Sequence, residues 1–146
     1  MENMSRDAQR RVWERVQAMP EMKLGQLREL LYPMEENCGV YHQLSRQGSK
    51  DAEKLRQLHQ QCRRSAACLR GLCRMAGEQP GSPRLSPPRE PRTRALEKCY
   101  RRELGLLGEF ESRAAGPENG AVFRALAQQT RDRCVGILEL LGEAEK

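Results

Sequence analysis

Aromatic side chains make up only 4% of this 146-residue sequence, and runs of alternating β-branched residues are absent. A sandwich or barrel needs both, whereas the abundant Leu, Ala, Glu, Arg and Gln favour helix, so an all-α fold is expected. No apolar run approaches the roughly 18 residues of a membrane span, which argues against a membrane partner. The first twenty residues are charged and lack the apolar centre of a signal peptide, so the expected location is cytoplasmic. There is no CxxC pair. The six cysteines lie at helical spacings without an export signal and read as reduced thiols rather than as a disulfide framework. Glycine-rich phosphate loops are missing, as is any Ser-His-Asp or Cys-His set that a helical architecture brings together.

Positive charge is present but uneven. The formal net charge is +6. Residues 1–76 hold 14 Lys and Arg against 9 Asp and Glu, while 92–146 hold 10 against 9. The densest basic cluster, Arg63, Arg64, Arg70 and Arg74, has no aromatic side chains between its members on which bases could stack. It reads as a solvated helix face, and no nucleic-acid partner is expected.

One segment interrupts the helical pattern. In "GEQPGSPRLSPPREP", residues 77–91, five of 15 residues are Pro, so no helix passes through it. Each flanking half reads as a helical hairpin, 21–76 and 92–146. The first is broken near Gly48 and Ser49, the second near Gly116 and Pro117. The expected helices run over about Pro20–Gln47, Ser49–Ala76, Pro91–Ala115 and Pro117–Glu145. The second of these is about 39 Å long. Fifteen extended residues reach about 50 Å, so the linker can return the full height of a bundle as one long crossover. Ahead of the bundle, residues 1–20 form a short amphipathic segment. Val12, Val16 and Met19 lie beside Trp13 there, and the segment is expected to fold back as a cap rather than to dock on a partner.

The helix seams share a fault. In "LAQQTRDRCVGIL", residues 126–138, positions Leu126, Thr130, Arg133 and Ile137 fall on one stripe. The stripe is apolar at both ends and polar in the middle. The other seams repeat this: Leu27, Leu30, Met34, Asn37, Tyr41, Leu44 in the first helix; Leu55, Leu58, Cys62, Ser65, Leu69, Leu72 in the second; Leu96, Cys99, Glu103, Leu106, Phe110 in the third.

With "LLYPMEENCGVYHQLS", "LRQLHQQCRRSAACL", "LEKCYRRELGLLGEFESRAA" and "FRALAQQTRDRCVGIL" in that order, residues 21–145 resemble the ferritin-like superfamily, most closely the small rubrerythrin-like proteins. The resemblance implies a four-helix bundle of two hairpins with a di-iron site. In each hairpin a Glu stands seven residues before an aromatic, followed by a Glu-x-x-His. Carried over position by position, the six ligand slots fall on Met34, Cys62, Ser65, Glu103, Thr130 and Arg133. Only Glu103 is a ligand of the family's kind, since such a site needs carboxylates and imidazoles from all four helices. Choosing Glu35 instead of Met34 puts Tyr41 out of phase. His42 and His59 occupy neither kind of slot and receive no role.

The resemblance therefore implies a catalytically silent bundle, without a metal or cofactor, that acts as a structural or interaction protein. A homodimer or an unidentified protein is the partner it implies. The alternative is a redox or metal-binding protein with an unconventional site of thiolates, Cys38, Cys62 and Cys134, together with Glu103. A free cysteine in a helical core is more often a small hydrophobe. A buried carboxylate without co-ligands has to take up a proton or find a cation. Arg133, in the same layer, is the expected counter-charge, with Ser65 and Thr130 completing the hydrogen bonding.

Overall fold

The computed structural model describes residues 27–48, 50–81 and 89–144. The N-terminal segment with Trp13 and the centre of the Pro-rich linker lie outside the described residues. Four α-helices carry the fold, α1 Leu31–Ser45, α2 Ala52–Met75, α3 Arg92–Ala114 and α4 Gly120–Ala144, and no strand occurs among the described residues.

Helix α1 is shorter than its apolar pattern predicts. A single 3-10 turn, Leu27–Leu30, precedes it instead of a continuous α-helix. Pro33 explains the difference. Its ring has no N–H and clashes with the carbonyl four residues back, so α geometry cannot run through residues 29–33 unbroken. The end of α2 is a Schellman motif. Gly77 has φ +78°, the Glu78 amide donates to the Cys73 carbonyl at 2.8 Å, and the Gly77 amide to Arg74 at 3.0 Å. Gly48, at φ +72°, follows α1 in the same left-handed conformation. Two starts differ from expectation. Helix α2 begins at Ala52 rather than Ser49, and the preceding Asp51 side chain caps nothing, because its carboxylate is drawn to Arg92 at 2.8 Å. Helix α4 begins at Gly120 rather than Pro117. Asn119 in front of it holds φ +58°, so the chain reverses two residues later than the Gly-Pro pair suggests.

Helix α1 packs mainly on α2 and α3 on α4; the two hairpins meet through α1 on α3 and α2 on α4. Toward the end where α1 begins, the core holds Leu31, Leu69, Leu72, Phe110 and Phe123. The two phenylalanine rings lie 6.4 Å apart there. Toward the other end it holds Leu44, Leu55, Leu58, Leu96, Ile137 and Leu140. Gly136 lets α4 approach α2 closely, since a Cβ there would meet Leu58 at 3.1 Å. Between the two apolar ends lies the polar layer.

Candidate functional site

The layer takes one or two side chains from each helix. Tyr41 comes from α1, Ser65 from α2, Glu103 from α3, and Thr130 and Arg133 from α4. All five are 0% exposed. Helical spacing puts Thr130 and Arg133 on one face, a turn apart, with Leu126 and Ile137 continuing that face above and below. Burial of that apolar stripe carries the two polar side chains into the centre.

Arg133 organises the layer through three donors. Its Nε donates to Glu103 Oε2 at 2.9 Å, Nη1 to Ser65 Oγ at 2.8 Å, and Nη2 to Thr130 Oγ1 at 3.1 Å. Each hydroxyl that accepts from Arg133 passes its own proton on. Ser65 donates to Gln129 Oε1 at 2.6 Å, and Thr130 to the Leu126 carbonyl at 2.7 Å. Tyr41 donates its hydroxyl to Glu103 Oε2 at 2.7 Å. Glu103 Oε2 thus accepts two hydrogen bonds, while Oε1 accepts none among the described residues. Burial, the largest single influence, lowers the proton affinity of Arg133, but the facing Glu103 carboxylate together with Cys62 and Tyr41 raises it, and the net shift is upward. Burial, reinforced by Glu103, raises the Tyr41 phenol well above its ordinary range, so it remains a donor. A fixed cation and a neutral phenol therefore hold one carboxylate oxygen.

The other two ligand slots lie beside this network. Met34 and Cys62 are both 0% exposed, and the Cys62 thiol donates to the Met34 carbonyl at 3.3 Å. Burial first, then contact with Cys38, pushes the Cys62 thiol well up. Burial first, then Glu103, pushes Cys134 up to about 11. Both shifts disfavour the thiolates that a soft metal site requires. All six cysteines are free thiols. Among the described residues, no three His, Cys, Asp or Glu side chains gather closely enough to hold a metal ion. Glu35 is drawn to the flank by Arg70.

Sequence reasoning missed a second polar connection. Asn37, also fully buried, donates from Nδ2 to the Cys99 carbonyl at 3.0 Å and accepts from Arg102 Nη1 at 3.2 Å. Arg102 also reaches Glu36 at 3.2 Å. The signal was an amide on the apolar seam between Met34 and Tyr41, a position where a buried amide must find partners. No protein-family model, curated protein or solved structure matches the chain. The layer can be read only from its own chemistry. It is a buried set of donors and acceptors in which Glu103 Oε1 is left without a partner among the described residues.

Proposed function

We propose that this chain is a catalytically silent, ferritin-like bundle of the rubrerythrin-like kind, in which an ion pair stands where a di-iron site once did. In this reading it serves as a structural or interaction protein. One observation carries the proposal: the guanidinium of Arg133 lies in the central layer, 2.9 Å from Glu103, the single carboxylate matching the family's ligand pattern. A metal cation and an arginine cation satisfy the same carboxylate by the same electrostatics, but the arginine offers no open coordination position and no redox change. The loss of ligands and the gain of a counter-charge are then one event.

Chain direction supports the ferritin-like path. The 2.8 Å pair between Asp51 and Arg92 joins the residues that start α2 and α3, and the helices they start are consecutive in the sequence. Helix α3 thus starts at the end of the bundle where α2 starts, as a single-crossover topology requires.

The test is aerobic addition of ferrous iron to the metal-free full-length protein, followed through the near-ultraviolet band of an oxo-bridged diferric centre. No such band, and no acceleration of iron oxidation over buffer, is expected. A diferric spectrum at two irons per chain overturns the proposal.

A further inference from the structure

The sequence contains two histidines, 17 residues apart, and the fold brings them together. His42 lies near the end of α1 and His59 in the first half of α2. Their ring centroids are 4.8 Å apart with planes tilted by 37°. Both line a groove of about 580 Å³ between these helices, with Glu35, Cys38, Arg63 and Arg70 also on its walls. His42 is exposed and His59 half-buried, so the pair is reached from solvent and is separate from the sealed layer.

We infer that His42 and His59 form a surface site for one transition-metal dication of the Ni²⁺, Cu²⁺ or Zn²⁺ kind, bound by one nitrogen of each imidazole and completed by solvent. The spacing supports it. An ion about 2.0–2.1 Å from an imidazole nitrogen lies about 3.2 Å from that ring's centroid. With an N–metal–N angle of about 90–109°, the two centroids fall about 4.5–5.2 Å apart. The observed 4.8 Å lies within this interval, so the two rings already stand at the separation such an ion requires.

The surroundings select the ion. Burial first, then His42 and Arg63, lowers the pKa of His59. That shift favours the neutral imidazole, the form that offers a lone pair. Glu35 pairs with Arg70, which leaves Arg63 as positive charge on the groove wall. Mg²⁺ and Ca²⁺, which need several oxygen ligands, gain nothing here, whereas ions that bind imidazole strongly do. Cys38 lies one turn before His42, but no third ligand joins the pair closely enough to make a cage among the described residues. Two protein ligands and exchangeable solvent make an exchangeable surface site rather than a structural metal centre.

The experiment is calorimetric titration of the full-length, metal-free protein with Ni²⁺, with Mg²⁺ as the comparison. A Cys68→Ser background removes the exposed thiol as a competing ligand. One Ni²⁺ per chain is expected, with no Mg²⁺ heat. His42→Gln and His59→Gln are each expected to weaken Ni²⁺ binding at least about tenfold, which is the loss of one of two imidazole ligands. Cys38→Ser is expected to retain binding. Helical circular dichroism verifies that each variant is folded, and the exposed His42 gives a test even where the half-buried His59 does not tolerate change. Absence of Ni²⁺ binding, binding that survives loss of either histidine, or its loss in Cys38→Ser overturns the inference. None of these results depends on the iron test, which concerns the core.

Discussion

Glu103 and Glu53 each pair with an arginine at nearly the same distance, 2.9 Å to Arg133 and 2.8 Å to Arg56. Their surroundings differ completely. The side chains of the first pair are 0% exposed, and those of the second are 69% and 55% exposed. Water and salt screen the surface pair, and holding two long side chains together costs entropy that nearly cancels the attraction. In the core there is no solvent to replace a lost partner. The buried pair need not make the bundle more stable than an apolar core of the same shape, because both charges were first stripped of water. It does make each partner strongly dependent on the other. Distance is therefore a poor guide to what an ion pair does, and burial is a good one.

The largest effect should come from breaking the buried pair on one side. Arg133→Met is expected to cost about 3–5 kcal/mol, because it leaves Glu103 unpaired in the core. Adding Glu103→Leu should restore most of that loss, since no unpaired charge then remains in the layer. A urea-unfolding cycle of the two single variants and the double variant measures this, and additive losses contradict the coupling.

Tyr41→Phe sharpens the contrast by removing one donor while keeping the pair. Loss of a hydrogen bond to a charged acceptor predicts about 1.5–3 kcal/mol of destabilisation in the same assay. The variant should leave the helical circular dichroism unchanged, because the ring remains in place.

A smaller effect should appear at alkaline pH. Burial raises Cys99 to about 12 and Cys134 to about 11, both from an ordinary 9.0. A thiol that holds its proton more tightly when folded favours the folded state fully below pH 9. That advantage is lost as pH rises from 9 through 11 and 12, because the unfolded chain ionises first. Urea midpoints should be level up to about pH 8 and fall above pH 9. The fall should be shallower in Cys99→Ala/Cys134→Ala, and an equal slope in that variant contradicts the assignment. Smallest of all, Glu53→Gln should leave the urea midpoint unchanged within error at low and high salt.

Much of this layer was legible in the sequence because helical periodicity is a local property. Steps of 4, 3 and 4 place Leu126, Thr130, Arg133 and Ile137 on one face, and the outer pair needs burial. Whatever lies between them goes inside as well. Glu103 follows by the same rule from Leu96, Cys99, Leu106 and Phe110. The start of α1 was harder to read, because Pro33 acts on backbone geometry while leaving the apolar pattern of Leu27, Leu30 and Met34 intact. The starts of α2 and α4 were misread for a similar reason. Residues that favour turns cluster at both breaks, and tertiary pulls such as Arg92 on Asp51 select among them.

By itself, the sequence determined the helical class, the hairpin breaks and which side chains face the core, since all three rest on spacing along one chain. Only the tertiary structure decided which polar groups meet. Arg133 touches Ser65 across 68 residues, Asn37 reaches the Cys99 carbonyl across 62, and His42 meets His59 across the α1–α2 groove. Periodicity assigns a face to each of these residues but carries no information about height along the partner helix. Height is set by packing the apolar ends of the bundle, and the polar contacts at its centre and flank follow from that fit.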